Sequence, residues 1–263
     1  MIPNVYIMAD AEGISGIYES RQVMDGESRY ADCRVNMAKD INACVKACKE
    51  AGAQKVFVRD AHSAGSNVTW ANLSSLADWY IIGDSRNNRF PGLDECDAII
   101  LLGYHAMAGT PQAILEHTMS SKEVQNYWLN GRKTGEIGID AAIAGDHDKP
   151  VIMVSGDDKT CAEAKDFLPW VTTAEVKKGL SINGGMLLPP DKAYALLAAK
   201  TKESMANIAL AKPFIPAKPV TLRVELTERS RLSIPEASPC MKIIDGRTYE
   251  VRCATTEEAL RHL

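Results

Sequence analysis

Apolar and polar residues alternate along about the first 180 positions in blocks that predict strands and helices in turn. Apolar side chains recur at steps of three or four from Tyr30 to Cys48, which is typical of one helix face, and Gly52 stands where a C-cap glycine belongs. Asn130 and Gly131 separate two short runs and predict a hairpin with a type I′ turn. Short apolar runs, typical of buried strands, occupy residues 5–9, 55–58, 79–82, 98–102 and 151–155.

Two shorter helices are predicted in the same part of the chain. The first covers residues 136–144 and is closed by Gly145. The second covers residues 159–167, and Asp158 is its candidate N-cap. Strands and helices that follow one another in this way are typical of an α/β sheet whose strands run mainly parallel.

The alternation loosens after about residue 180. An alanine-rich pattern predicts a long helix over residues 191–211, and prolines then connect it to a strand over 220–226. We therefore predict an α/β fold. A mainly parallel sheet flanked by helices forms residues 1–180, and a smaller α+β portion forms residues 181–263 and can belong to the same domain.

Composition and charge narrow the class of protein. The 263 residues are 46% hydrophobic and 24% charged, values of an ordinary globular protein that exclude disorder, collagen and coiled coil. A net charge of −4 argues against a nucleic-acid protein, because phosphate binding needs a basic surface. No apolar run approaches the roughly 18 residues of a membrane span, and the first residues lack the features of a signal peptide. Seven scattered cysteines are typical of buried residues in a reducing compartment, so a cytoplasmic location is expected.

Acidic and histidine side chains follow three of the predicted strands. The carboxyl ends of parallel neighbouring strands lie on one edge of a sheet, where ligands of open α/β sheets bind. Side chains far apart in sequence therefore meet in space if these strands are neighbours. The residues in question are Asp10 and Glu12 after the first strand, Asp60 and His62 after the second, and His105 after the strand at 98–102.

These residue types suit a metal. Carboxylate oxygen and imidazole nitrogen together favour zinc, manganese or iron, whereas calcium binds oxygen alone. Two metal ions about 3.5–4 Å apart, bridged by a carboxylate, form a common hydrolase site. Asp10 suits the bridge, with Glu12, His62 and His105 as terminal ligands. The alternative for each residue by itself is structural, since an Asp after a strand often caps a helix or forms a turn.

The sequence pattern alone does not decide the roles of two further residues. His117 is either a proton shuttle or a polar residue between apolar neighbours, and Glu136 is either a ligand or a carboxylate that offsets the helix dipole. Other enzyme classes find little support. The glycines after the first strand match neither a dinucleotide-binding motif nor a phosphate-binding loop, and the nucleophile elbow of serine hydrolases is missing from the sequence.

Several ordered segments resemble the zinc D-aminopeptidase family that is associated with dipeptide transport, the DppA family. The similarity runs from residue 5 to about 180 and is fainter afterwards. The segments that carry it are DAEGISG at 10–16, DAHS at 60–63, LGYHA at 102–106, NGR at 130–132, GEIG at 135–138 and VSGDD at 154–158.

The resemblance implies two zinc ions per chain and a ring-shaped homodecamer whose sites face an internal channel. It also implies that His117 is the catalytic histidine, and that Asp10 is the bridge. The implied zinc ligands are Asp10, Glu12, His62, His105 and Glu136. This chain departs from the family pattern at Ala11, Ala61 and Glu116.

We expect from this resemblance an aminopeptidase that hydrolyses short peptides with an N-terminal D-amino acid, using water activated by zinc. His117 then protonates the leaving amine or stabilises the oxyanion. Two alternatives stay open. One is a dinuclear metal hydrolase that acts on another amide or on a phosphoester, and the other is a protein that binds peptides without catalysis.

Overall fold

A computed structural model describes residues 3–86, 88–229 and 240–263 and contains two β-sheets with helices packed on them. The strands are β1 Val5–Ala9, β2 Val56–Asp60, β3 Trp79–Ile81, β4 Ala98–Leu102, β5 Val124–Leu129, β6 Arg132–Thr134, β7 Val151–Asp157, β8 Thr172–Ser181, β9 Gly184–Leu187, β10 Val220–Leu226, β11 Met241–Ile243 and β12 Thr248–Cys253. The helices are α1 Tyr30–Glu50, α2 Glu136–Asp146, α3 Asp158–Phe167, α4 Pro190–Ala206 and α5 Thr256–Arg261.

The first sheet has the strand order β3-β2-β1-β4-β7-β8-β9. All its neighbouring strands run parallel except β8 and β9. Ala9 at the end of β1 is opposite Asp60 on one side and Leu102 on the other, so β2, β1 and β4 end level with one another. The prediction of a mainly parallel sheet flanked by helices is confirmed, and its central strands share one carboxyl edge.

The two faces of the first sheet are covered differently. On one face Val5, Ile7 and Ala9 pack with apolar side chains of α1 and α4. On the other face Tyr6 and Met8 pack with α2, α3 and the second sheet. Because both faces are buried, β1 and β4 are apolar at every position, which explains why they appear in the sequence as continuous runs.

The second sheet is antiparallel, in the order β11-β12-β10-β5-β6. The β5–β6 turn is the type I′ hairpin that the sequence predicts, since Asn130 and Gly131 both have positive φ, at 48° and 84°. This hairpin precedes residue 180, yet β5 pairs with β10, which follows it. The sheet thus joins strands from both sides of that residue.

Several predicted boundaries differ from those of the structure. Strand β2 ends at Asp60 rather than at residue 58, so Asp60 is its last residue. Helix α2 continues through Gly145 to Asp146. A Cβ at Gly145 would lie 2.0 Å from the carbonyl oxygen of Phe214, so this glycine permits close packing and does not end the helix.

The other two corrections concern helix ends. The N-cap of α3 is Asp157, whose side chain accepts the Thr160 N–H, and Asp158 is the first helical residue. Helix α4 begins at Pro190, whose fixed φ suits the first turn, and ends at Ala206 rather than at residue 211. Asn207 takes the C-cap, and a separate 3₁₀ turn follows. In the described part of the chain, no helix combines the length and apolarity that crossing a membrane requires.

Candidate metal centre

The level strand ends bring the sequence-predicted acids and histidines together at one edge of the first sheet. Asp10 follows β1, His62 follows β2 and His105 follows β4, and β1 lies between the other two. The loop after β1 turns back at Gly13, where a Cβ would lie 1.9 Å from the Tyr104 carbonyl oxygen. Only glycine permits this approach, which keeps Glu12 beside Asp10 at the same edge.

His62 is oriented by a backbone carbonyl. Its Nε2 lies 2.8 Å from the Val23 oxygen, and because a carbonyl only accepts, Nε2 carries a hydrogen. The opposite nitrogen, Nδ1, faces Asp10 Oδ1 and Glu12 Oε2, each at 3.2 Å. A neutral His62 therefore presents a lone pair towards two carboxylates, and only a protonated ring donates to them.

His105 repeats this arrangement on the other side of Asp10. Its Nδ1 lies 3.1 Å from the Ala106 carbonyl oxygen and so carries a hydrogen. Its Nε2 lies 3.4 Å from Asp10 Oδ2 and 3.3 Å from Glu136 Oε1. The two oxygens of Asp10 therefore face two different histidines.

Glu136 and His117 reach the cluster from other elements. Glu136 is the first residue of α2, and its Oε1 accepts the Met119 N–H at 2.8 Å. The His117 ring stacks on the His105 ring at 3.9 Å between centroids. His117 Nδ1 donates to the Leu115 carbonyl at 2.9 Å, which leaves Nε2 facing Glu136 Oε1 at 3.9 Å.

Charge is concentrated and buried here. Asp10, Glu12, His105 and Glu136 are each less than a tenth exposed. Burial opposes protonation of His105, but Glu136 and Asp10 outweigh it and raise the pKa of His105 to about 10. Burial likewise opposes ionisation of Glu136, but His105 outweighs it and lowers the pKa of Glu136 to about 2. Glu136 is thus held ionised and requires positive charge beside it.

The side chains fit a metal ion by an independent criterion. Within the described residues, His105 Nε2 and Glu12 Oε2 are buried without a hydrogen bond, although both face the cluster. Uncompensated buried polar atoms are costly, and a cation among them satisfies both at once. Ligand atoms of Asp10, Glu12 and His105 lie within 4.8 Å of one another, as do those of His105, His117 and Glu136. These donor sets match the mixed nitrogen and oxygen ligands that zinc accepts.

A supporting group beside Glu136 was not found from the sequence. Arg89 forms a two-pronged contact with Asp140, at 2.8 Å to each oxygen, and lies 3.3 Å from Glu136 Oε2. The Tyr104 hydroxyl donates to Asp140 at 2.7 Å. Asp140 lies four residues after Glu136, on the same face of α2, and this spacing was the one available signal.

Lys177 was also not found from the sequence. It lies on β8, is 2% exposed, and donates to the carbonyl oxygens of Glu12, Ile14 and Ile17 at 2.5, 3.0 and 2.7 Å. Burial lowers the pKa of Lys177 to about 8, although nearby Asp157 and Asp40 oppose this. Lys177 thereby fixes the loop that carries Glu12.

Other acids and histidines of the chain have structural contacts away from the cluster. Asp60 accepts the backbone N–H groups of Asn67 and Val68, at 2.6 and 3.0 Å, and so shapes the loop after β2. Asp158 accepts the Gly179 N–H at 2.9 Å. His147 lies 3.1 Å from Asp94 at an exposed position.

A cavity of about 880 Å³ opens onto the cluster. Its walls include Glu116 and His117 on one side and Tyr30 and Arg34 on another. Glu116, a departure from the family pattern, accepts the Gly109 N–H at 2.5 Å. The volume suits a small ligand of a few residues.

Comparison with known proteins gives a consistent result across nearly the whole chain. The D-aminopeptidase family of peptidases matches residues 4–263. A D-aminopeptidase of Bacillus subtilis (strain 168) is 33% identical over 271 aligned positions, which cover 98% of each chain. The solved structure of the Zn-dependent D-aminopeptidase DppA from Bacillus subtilis, described as a self-compartmentalizing protease, superposes with a TM-score of 0.91 at 33% identity. It covers 98% of this chain and 94% of that one.

Proposed function

The chain belongs to the D-aminopeptidase family, and from that premise we propose that it is a dinuclear zinc aminopeptidase which removes N-terminal D-amino acids from short peptides. The observation that carries the proposal is the position of Asp10 between His62 and His105. A carboxylate whose two oxygens face two separate imidazoles would offer one oxygen to each of two metal ions.

The proposed ligands divide into two groups around Asp10. Glu12 and His62 lie on the Oδ1 side, and Glu136 and His105 lie on the Oδ2 side. In each histidine the other ring N–H donates to a backbone carbonyl, which fixes the ring and leaves the lone pair of the metal-facing nitrogen available. These contacts support two zinc ions per chain.

In such a site zinc supplies Lewis acidity, which lowers the pKa of water and polarises a carbonyl group. The chain's own contribution is to hold and move protons. His117 Nδ1 is tied to Leu115, so Nε2 is the atom that exchanges a proton, and it faces the cavity. We assign His117 the protonation of the leaving amine or stabilisation of the oxyanion. The stacked His105 ring limits the tilt of His117 and keeps Nε2 aimed at the reacting group.

The proposal extends to assembly and location. A relative described as self-compartmentalizing supports a homo-oligomer, and we propose a decamer. Ten chains of 28.7 kDa would have a mass of about 287 kDa, which light scattering distinguishes from a dimer or hexamer. All seven cysteines are free thiols, which supports a cytoplasmic, reducing location.

The first test measures bound metal per chain in untagged protein together with hydrolysis of D-Ala-D-Ala and L-Ala-L-Ala. We expect two zinc ions per chain and cleavage of the D-dipeptide in strong preference to the L-dipeptide. A panel of phosphoesters and other amides serves as the control for substrate class.

Each other outcome points to a different function. Bound metal with turnover only of phosphoesters or other amides would replace the aminopeptidase by another dinuclear hydrolase. Tight peptide binding without turnover would indicate a binding protein. Protein that neither retains zinc nor hydrolyses any substrate would contradict the proposal altogether.

A further inference from the structure

A second set of metal-binding side chains lies in the C-terminal part of the chain and shares no residue with the candidate metal centre. The sulfur atoms of Cys240 and Cys253 and a ring nitrogen of His262 lie within 4.8 Å of one another. Among the described residues, no other cysteine belongs to such a group, and the remaining five are buried free thiols.

Three separate elements bring these side chains together. Cys240 directly precedes β11, Cys253 is the last residue of β12, and His262 directly follows α5. The antiparallel pairing of β11 with β12 aligns the two cysteines, and the Arg252 N–H donates to the Cys240 carbonyl at 2.9 Å. The Thr255 side chain caps α5 by accepting the Glu258 N–H at 3.1 Å, which turns the chain back so that its end meets β12.

The spacing suits one ion. Ligands of tetrahedral zinc lie about 2.0–2.3 Å from the metal, so neighbouring ligand atoms are roughly 3.5–4 Å apart. Two sulfurs and one imidazole nitrogen within 4.8 Å of one another reach this spacing with small rotations of the side chains. Thiolate and imidazole are the soft and intermediate donors that select zinc over magnesium or calcium.

We propose that Cys240, Cys253 and His262 form a second metal site, separate from the proposed catalytic pair, that binds Zn²⁺ through two thiolates and one imidazole. The fourth position is filled by water. As the ion binds, each thiol releases its proton to solvent, so two S–H bonds break and two Zn–S bonds form with no change of oxidation state. Two thiolates then balance the charge of the ion.

The site would fasten the C-terminus to the second sheet. Cys253 is 5% exposed and packs in the same apolar core as Ala259 of α5, whereas Cys240 is half-buried and His262 is exposed. An ion here has solvent access on the His262 side and joins α5 to the ends of β11 and β12. Helix α5 has only six residues, so a fixed end offsets the weak stability of so short a helix.

Cobalt substitution tests this site without interference from the other. Cobalt bound to thiolate gives an intense near-ultraviolet charge-transfer band, and the ligands proposed for the catalytic pair include no sulfur. We expect the wild-type protein loaded with Co²⁺ to show this band. Cys253→Ser should abolish it, and His262→Gln should weaken cobalt affinity by more than about tenfold.

Matched variants separate a ligand from a general effect on folding. Cys48→Ser removes another buried thiol and His147→Gln removes another exposed histidine, and both should keep the band. Because Cys253 is buried and its replacement can impair folding, the half-buried Cys240 and the exposed His262 provide variants, Cys240→Ser and His262→Gln, that report on the site by themselves.

Thiol chemistry gives a second readout. Titration of the native zinc protein with an organomercurial should release one zinc ion per chain, and the denatured, unreduced protein should contain seven free thiols. A cobalt-loaded wild-type protein without the band would overturn the proposal, whether or not it hydrolyses peptides. Five free thiols instead of seven would do the same, because Cys240 and Cys253 would then be a disulfide. Loss of peptidase activity with the band intact would contradict the proposed function and leave this site standing.

Discussion

At the scale of single residues, the site is defined by which nitrogen of each histidine is already occupied. His62, His105 and His117 each donate one ring N–H to a backbone carbonyl, so the remaining nitrogen of each ring faces the cavity or the carboxylates. The three rings nevertheless have different surroundings. His62 and His105 lie within 3.4 Å of two carboxylates each, whereas His117 lies 3.9 Å from one. This difference separates two proposed ligands from one proposed proton carrier.

His117→Ala should remove turnover and leave metal binding intact. We expect kcat to fall by about 10²–10⁴-fold, the usual contribution of a general acid or base. Zinc content measured by atomic absorption should stay at the wild-type value. The control is His147→Ala, an exposed histidine paired with Asp94, which should retain full activity. Loss of zinc from His117→Ala would instead identify His117 as a ligand.

Lys177→Met should destabilise the protein and loosen the metal centre. The change leaves the buried carbonyls of Glu12 and Ile17 without a donor, while the Ile14 carbonyl keeps the Ile17 N–H, and we expect the free energy of unfolding to fall by about 3 kcal/mol. Zinc affinity should fall as well, because the loop that carries Glu12 loses its anchor. Denaturant unfolding and zinc competition measure the two effects.

The matched control for that change is the next residue on the strand. Lys178 is exposed and pairs with Glu175 at 3.6 Å, so Lys178→Met should change the unfolding free energy by less than about 0.5 kcal/mol. Equal effects of the two substitutions would show that the buried ammonium group has no special structural role.

At the scale of elements, the strand ends and helix starts of the first sheet supply both ligands and anchors. Asp157 ends β7 and caps α3, with its Oδ1 accepting the Thr160 N–H at 2.8 Å. Its Oδ2 accepts the Ile114 N–H, also at 2.8 Å, and Ile114 lies three residues before His117. One carboxylate therefore links a strand, a helix and the loop of the proposed catalytic histidine.

Asp157→Asn should weaken both of these connections, because the amide retains one acceptor oxygen in place of two. We expect a loss of about 1–2 kcal/mol in the free energy of unfolding, the range of a helix cap, together with a lower kcat/KM. Asp158→Asn is the matched neighbour, since it retains an oxygen for the Gly179 N–H and should change both quantities much less. A larger effect at Asp158 would contradict the assignment of the cap.

At the scale of the whole molecule, two sheets meet around one cluster of charge. The first sheet contributes Asp10, Glu12, His62 and His105 from its carboxyl edge, and Glu136 enters from α2, directly after the hairpin of the second sheet. Charges of opposite sign are therefore packed between separate layers. A cation held at their meeting point would couple the packing of the layers to metal binding.

Removal of metal should accordingly lower the thermal stability of the whole protein. A ligand that binds the folded state alone adds RT ln(1 + [L]/Kd), or about 4 kcal/mol at a thousandfold excess over Kd. We expect the Tm measured by calorimetry to fall on treatment with a chelator and to recover with Zn²⁺. Mg²⁺ and Ca²⁺ serve as controls and should not restore it, since both prefer ligand sets of oxygen alone. A Tm unaffected by chelation would show that no tightly held metal contributes to stability.

The sequence by itself determined the alternation of strands and helices, the parallel sheet and the turn at Asn130–Gly131. It also indicated that Asp10, His62 and His105 would meet, because side chains at the carboxyl ends of neighbouring parallel strands share one edge. These features follow from local apolar periodicity and from turn chemistry. Neither apolar periodicity nor turn chemistry predicts contacts between distant segments.

The tertiary structure decided the features that depend on such contacts. The pairing of β5 with β10 joins residues about a hundred positions apart, and Lys177 reaches carbonyls more than 150 positions away. Gly145 shows the same limit of local patterns. The sequence around it predicts the end of a helix, but the glycine lies inside α2, because the backbone of Phe214 packs too closely for a side chain. A local pattern reports which face of an element is apolar. Only tertiary packing decides which element covers that face. The same packing decides which charged groups lie beside each buried side chain.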